Sequence, residues 1–478
     1  MIKLITQNDL LETGAYLLNA TNKEYLPFVN SNELYLTQES NQGLKLEIIK
    51  LISQAQKVLK ICSFIITDRE VFEAILNKAK EKKVAIFILT QLDQTKIISS
   101  QTITDEELND NSSQSHINCI RELYDQGVHV RAATSAHAKF IISDRKEALL
   151  MSANLTSPSL TFNTESGFYL EPKDVSQLEK LFDVIFQNGT TYRKFINAGK
   201  KNKQFIVQSE VNIRTEWLPK AIDSNLKYTY ETLNNSLYQS IIDIVRGSKE
   251  FLLVSSYSIV GLEKLDVLVK EIGAAIKRGV KIDIFCRGMN YRLDHLNGTK
   301  QLAALGCRIY GDMFNHSKGI ISESRGMIFT ANIDGNHGLL NGFEVGYILD
   351  AKKRLEFLKF HEYLIEYSLF KYSISPRRVD FYNTYTFYES KKNISSPAFA
   401  SEIELFISHQ LVKSKQDLEN YPLYLSRVKE DQYFLIAGNS FYKCMFDAGR
   451  IQVIDKAPPA FNIEKHLLKF NNMKIVYN

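Results

Sequence analysis

The chain has 478 residues, 44% of them hydrophobic and 24% charged, with a formal net charge of +5. This balance excludes a disordered chain and a histone-like polycation, and the length suits two to four structural units. The five cysteines are odd in number and dispersed, without a CxxC pair, which argues against a zinc knuckle or a disulfide framework and fits a reducing compartment.

The first 18 residues lack a charged-then-apolar leader pattern, since Asp9 and Glu12 interrupt them. No stretch reaches the roughly 18 consecutive apolar residues of a membrane span. The expectation is a soluble cytoplasmic protein with no stable membrane insertion. Residues 58–66 read as a buried strand, followed by a helix with Val71, Phe72, Ile75, Leu76 and Ala79 at three- and four-residue spacing, then a strand at 84–89. A polar insertion at 94–116 follows, with a short helix expected at 104–108. A helix ending at Gly127 leads to a strand at 129–132, because a helix C-terminus favours a positive-φ residue. After a surface connection at 199–203 the order recurs: strand 251–257, helix 265–277, strand 281–286, a helix ending at Gly306 and a strand at 308–310. An amphipathic helix is expected at 355–370. The Ser375-Pro376-Arg377-Arg378 stretch breaks it, and strand-like runs at 433–437 and 450–454 suggest a β-rich unit.

The recurrence extends to the chemistry. His137 and Lys139 recur as His316 and Lys318 at one offset (316−137 = 318−139 = 179), and the same offset carries Gly127 to Gly306 and Glu165 to Glu344. Residues two apart on a strand face one side, so each His and Lys would point together. Paired imidazoles and paired cations suit phosphate chemistry, with one imidazole to attack and one to protonate. Strands at 149–152 and 327–330 end in Ser152-Ala153-Asn154 and Thr330-Ala331-Asn332, whose hydroxyls and amides could donate to phosphate oxygens. Their offset is 178, one residue short. Asn163 and Glu165, then Asn341 and Glu344, follow on a third segment. A carboxylate accepting from imidazole Nδ1 fixes the tautomer and leaves Nε2 to react. Asp144 and Glu323, each five residues after a Lys, suit either a catalytic role or a turn cap. The other histidines, including His116, His295 and His337, read as structural or surface residues. The Phe381-to-Tyr388 aromatic run beside Arg377 and Arg378 reads as a β-domain core or contact surface more readily than as a base-stacking platform.

His137-Ala-Lys139-Phe-Ile-Ile-Ser-Asp144 with Ser152, Asn154 and Glu165, and His316-Ser-Lys318-Gly-Ile-Ile-Ser-Glu323 with Thr330, Asn332 and Glu344, resemble the two HxKxxxxD motifs of the phospholipase D superfamily. The resemblance covers about residues 44–370. It implies an α/β class: a tandem pseudo-twofold repeat of α/β/α sandwich halves, with one composite site at the seam. The corresponding divisions are 1–198, 199–375 and a small β-rich C-terminal domain at 376–478. It implies a phosphohistidine mechanism without metal or other cofactor, with His137 as nucleophile, His316 as acid/base and Lys139 and Lys318 stabilising charge. Asp144 and Glu323 would support them, Ser152, Asn154, Thr330 and Asn332 would bind phosphate, and Glu165 and Glu344 would orient the histidines. Glu323 departs from the motif, which has Asp there.

The favoured expectation is a nuclease cutting DNA or RNA, with nucleic acid as partner. The resemblance of the Ser152-Ala-Asn154-Leu-Thr156 flank to nuclease-type members allows a setting in bacterial anti-phage defence beside a partner protein subunit. The alternatives are a phospholipase or phosphatidyltransferase acting on phospholipid head groups, and a catalytically silent binding subunit.

Overall fold

The computed structural model describes residues 7–19, 28, 31, 33–38, 41–92, 112–133, 136–189, 192–197, 204–208, 213–220, 224–290, 292–377 and 380, and five strands between 423 and 476. The first half is built on β2 (Tyr35–Thr37), β3 (Val58–Cys62), β4 (Ala85–Thr90), β5 (His129–Ala133), β6 (Phe140–Ser143), β7 (Glu147–Met151), β8 (Glu165–Tyr169), β9 (Tyr192–Asn197) and β10 (Gln204–Gln208). Their order in the sheet is β10-β9-β5-β4-β3-β6-β7-β8-β2. The second half carries β1 (Ala15–Leu18), β11 (Leu226–Tyr230), β12 (Asn234–Asn235), β13 (Phe251–Ser255), β15 (Lys281–Arg287), β16 (Arg308–Asp312), β17 (Gly319–Ser322), β18 (Gly326–Phe329), β20 (Phe343–Ile348) and β21 (Phe370–Ser373). They run in the order β1-β21-β16-β15-β13-β17-β18-β20-β11-β12, while β14 (Ile259–Val260) and β19 (Ile333–Asp334) pair in parallel with each other.

The two sheets share one plan. β3 pairs in parallel with β4 and antiparallel with β6; β13 does the same with β15 and β17. β6 and β17, which follow the two His/Lys pairs, are therefore central strands. Every residue of both is buried, which explains their unbroken apolar runs. The helices Gly43–Gln54, Arg69–Glu81 and Ser112–Asp125 cover one face of the first sheet, packing Ile48, Ile75 and Ile120 onto Ile61, Ile88 and Ile141. The Arg69–Glu81 helix starts where Asp68 accepts from Val71 N–H. The helices Pro172–Asn188 and Ala351–Glu366 lie between the sheets. Leu178, Phe182, Phe357 and Phe360 share one core there with Phe140, Phe168 and Ile321. A third core covers the outer face of the second sheet, so the layers run helices, sheet, helices, sheet, helices.

Several expected boundaries shift. The division at 198/199 falls between β9 and β10, which pair with each other, so the first sheet continues to Gln208. Residues 7–18, assigned by sequence to the first half, belong with the second. β1 closes the edge of its sheet against β21, and Leu10 and Tyr16 enter its core. An open sheet edge exposes unpaired backbone groups, and β1 satisfies them. The helix expected at 355–370 is Ala351–Glu366, with Asp350 accepting from the Lys352 and Lys353 N–H groups; Phe370 starts β21 instead. The C-terminal end of the expected insertion at 94–116 belongs to the helix Ser112–Asp125. The short helix expected at 104–108, the connection at 199–203 and the aromatic run at 381–388 lie outside the described residues. The C-terminal strands Leu423–Lys429, Gln432–Ala437, Ser440–Asp447, Arg450–Lys456 and Met473–Val476 form a separate antiparallel sheet.

Candidate active site

Two short backbone bridges join the halves and place the site. Ala136 pairs in parallel with Phe343, and Thr164 pairs in parallel with Asn315. These are the same contact related by the repeat, since 315−136 and 343−164 both equal 179. Each bridge is closed by matching bonds: His137 N–H donates to Phe343 O at 3.1 Å, and His316 N–H donates to Thr164 O at 3.0 Å. The pseudo-twofold axis therefore runs between the bridges, and each histidine faces the strand that carries the other half's glutamate.

The glutamates pair crosswise. His137 Nδ1 lies 2.7 Å from Glu344 Oε1, and His316 Nδ1 lies 2.6 Å from Glu165 Oε1. A carboxylate there makes Nδ1 the donor and turns Nε2 toward the seam. Lys139 Nζ donates to His137 O at 2.6 Å and sits 3.1 Å from His137 Nε2; Lys318 Nζ donates to His316 O at 2.7 Å. The lysines serve one shared cluster. Lys318 depresses His137 electrostatically, and both lysines act on Glu165. Phe64 packs edge-on against the His137 ring at 5.8 Å and Tyr257 against the His316 ring at 5.3 Å.

The two dyads differ electrostatically. Burial pushes the Glu165 carboxyl up to about 7, even against the pull of Lys318 and the Ser152 hydroxyl. Glu344 is just as buried, yet the neighbouring His137 and Lys139 outweigh burial and hold it below the usual carboxylate range. Burial likewise lowers His137 below its ordinary 6.5, only partly opposed by Glu344. At neutral pH the His137 dyad is a neutral imidazole on an ionised carboxylate, which leaves the Nε2 lone pair for nucleophilic work. In the other dyad it is the Glu165 carboxyl that titrates near neutrality. His137 keeps 8% of its surface exposed whereas His316 has none, so the seam opens on the His137 side.

Two expected roles change. Ser152 and Thr330 were expected on phosphate, but their hydroxyls are committed to the orienting carboxylates. Ser152 Oγ donates to Glu165 Oε2 at 2.5 Å, and Thr330 Oγ1 donates to Glu344 Oε2. Each therefore holds the carboxylate that holds a histidine. Asn154 and Asn332, at the same strand ends, are buried, and the Asn332 amide finds no hydrogen-bond partner among the described residues. Asp144 and Glu323 suited either a catalytic role or a turn cap. They sit at the far ends of β6 and β17, about 17 Å of strand from the lysines. Asp144 Oδ1 accepts from the Lys57 and Val58 N–H groups at 2.6 and 3.0 Å, and Oδ2 from Gln56 at 2.8 Å. Glu323 accepts from Lys249 and Glu250 N–H at 3.1 and 3.4 Å. Both cap the start of the neighbouring central strand.

The turn also explains the departure from Asp. In the first hairpin Ser143 pairs with Glu147 across three residues, with Asp144 and Arg145 at φ 51° and 61°. In the second, Ser322 N–H donates to Arg325 O across two residues. The missing residue in the 178 offset is thus lost in the turn, and the extra methylene of Glu323 restores the reach to the backbone. Burial raises the Asp144 carboxyl, but the donated N–H bonds outweigh it and leave it below the ordinary 3.8. Its stabilisation is therefore present above that value and lost as pH falls through the folded value. Asp144→Ala should cost about 0.5–2 kcal/mol at neutral pH and leave kcat unchanged, with the difference vanishing in acid. Urea unfolding at several pH values checks this; loss of turnover without loss of stability would restore a catalytic role.

One repeated pair escaped the sequence reading. His116 and His295 also stand 179 apart and hold matching loops: His116 Nδ1 meets Ile66 N at 3.0 Å and Nε2 meets Gln91 O at 2.7 Å, while His295 Nδ1 meets Ile259 N and Nε2 meets Arg287 O, both at 3.0 Å. Burial lowers them to about 4 and about 3, so both are neutral. Among the described residues no group of three or more His, Cys, Asp or Glu is arranged around a cation position, and no helix is long and apolar enough to cross a membrane.

Residues 48–186 match the family described as cardiolipin synthase, PLD-like domain. No curated protein matches the sequence. Among solved structures, phosphatidylserine synthase of Haemophilus influenzae Rd KW20 superposes with a TM-score of 0.51 at 10% identity, over 86% of this chain and 97% of that one. Polyphosphate kinase of Porphyromonas gingivalis gives 0.45 at 13% identity over 69% of this chain, which spans about half (49%) of that protein's length. Nuc, a phospholipase D family member from Salmonella typhimurium, gives 0.26 at 18% identity, over 30% of this chain and 95% of that one. A PLD-like domain model thus matches residues 48–186, and the chain shares its fold with phosphatidylserine synthase.

Proposed function

We propose that this protein is a phosphodiesterase acting through a phosphohistidine, and that its substrate is DNA or RNA. The observation that carries the reading is the pair of crosswise His–Glu dyads with two lysines in one seam. His137 Nε2 attacks phosphorus, and the bond to the leaving oxygen breaks as His316 Nε2 gives that oxygen its proton. His316 then takes a proton from water, which attacks phosphorus and breaks the P–N bond to release His137. Splitting one displacement into two lowers each barrier. Proton transfer from a placed imidazole contributes about 10²–10⁴-fold. Lys139 lies 3.1 Å from His137 Nε2; a phosphoryl oxygen draws the ammonium away and exposes the lone pair, while Lys318 offsets charge from the other half.

A nucleic-acid substrate is supported by the net charge of +5 and by the Ser152-to-Thr156 flank. A second reading, phosphatidyl transfer, is favoured by the family description and by the shared fold of phosphatidylserine synthase. Incubation with labelled DNA, RNA and phosphatidyl-lipid vesicles in EDTA separates them. Nucleic-acid cleavage in chelator is expected. Lipid turnover alone would replace the first reading by the second. Binding without turnover, indifferent to His137→Ala, would leave a silent binding subunit.

A further inference from the structure

One side chain beside the dyads lacks a counterpart in the repeat. Asn163 is fully buried, and both its Oδ1 and Nδ2 find no hydrogen-bond partner among the described residues. The residue 179 later is Gly342, so the other half has no amide there. Thr164 N–H donates to Phe314 O and Thr164 O accepts from His316 N–H, which fixes the segment as extended at this point. Asn163 itself closes the helix Ser157–Thr161, its N–H donating to Pro158 O at 3.0 Å. Glu165, two residues on and so within about 7 Å of chain, holds His316 Nδ1 at 2.6 Å. Asn163 thus adjoins in sequence the bridge that carries the His316 dyad.

We infer that Asn163 is a specificity-determining residue that hydrogen-bonds the leaving portion of the substrate. This rests on the phosphodiesterase reading. With His137 attacking in line, the leaving oxygen departs on the His316 side, where an amide offering both a donor and an acceptor meets it. Sugar oxygens and hydroxyls flanking the departing oxygen of a nucleic-acid strand match that pair of functions. A buried amide without partners destabilises the free protein, and its bonds form when substrate arrives. Gly342 leaves the His137 side without this contact, so the two substituents of the diester are told apart and the strand is bound in one direction.

The test compares the wild type with Asn163→Ala and Asn163→Leu on a short oligonucleotide and on bis(p-nitrophenyl) phosphate, whose leaving group needs neither proton nor sugar contact. Expected is a loss of about 10- to 100-fold in kcat/KM on the oligonucleotide for both variants, less than about 3-fold on the small diester, and a thermal midpoint equal to or above the wild type's. Equal losses on both substrates would mark Asn163 as structural and overturn the inference, as would unchanged oligonucleotide cleavage. Turnover of the small diester alone by the wild type would overturn the nucleic-acid assignment together with this role. Turnover of neither would remove the phosphodiesterase reading itself. Leu, branched at Cγ as Asn is and apolar, guards against a folding defect peculiar to Ala.

Discussion

His316→Ala is expected to slow turnover by roughly 10³- to 10⁶-fold while accumulating a covalent substrate adduct on His137. The neutral imidazole of His137, held on the ionised Glu344, can still attack. Without His316 the adduct lacks the base that activates water, so hydrolysis of the P–N bond stalls. A substrate with a good leaving group, which departs without a proton, should load the adduct fastest. His137→Ala should be equally slow and form no adduct. Intact-mass measurement after rapid mixing, with peptide mapping under alkaline conditions that preserve phosphohistidine, reads the result. An adduct on His316 in the His137 variant would exchange the two roles. Absence of any adduct in both variants, despite wild-type turnover, would remove the covalent path.

Glu344→Gln should lower kcat about 10²- to 10⁴-fold, with a smaller change in KM. The amide cannot accept from Nδ1 through a charged oxygen, so the tautomer with Nε2 free is no longer favoured. Thr330 also loses its charged acceptor. The crosswise pairing makes a sharper claim. The downfield Nδ1 proton of His137 should vanish from the proton spectrum in Glu344→Gln and persist in Glu165→Gln, although Glu165 shares the first half with His137 and Glu344 does not. The reverse pattern would mean that each half orients its own histidine. Equal thermal midpoints of the variants would confine the effect to the site.

The sequence carries the repeat plainly, because His, Lys and Glu sit at one offset in both halves. It does not say which glutamate serves which histidine. That is decided by Ala136–Phe343 and Thr164–Asn315, two bridges whose partners are far apart in the chain and carry no motif. Asp144 and Glu323 left two readings open because a carboxylate at a strand end serves catalysis or backbone capping equally well by spacing; the N–H groups it meets belong to strands more than 70 residues earlier. Ser152 and Thr330 suit phosphate by residue type, and only the contact with a glutamate 13 or 14 residues later shows what they hold. His116 and His295 were legible at the same offset, yet neither neighbours the motif that drew attention. β1 was illegible, since nothing in Ala15–Leu18 names an edge strand at the other end of the repeat.

Glu165 and Glu344 each reach into the opposite copy, and this has a consequence for how the two copies age. After an ordinary gene duplication one copy can decay while its twin carries on. Here a lesion in either copy strips the twin's imidazole of its anchor, so no intact spare exists. Positions outside the exchange are free of that coupling, and there the copies differ: the second hairpin is one residue shorter and carries Glu323 where the first carries Asp144.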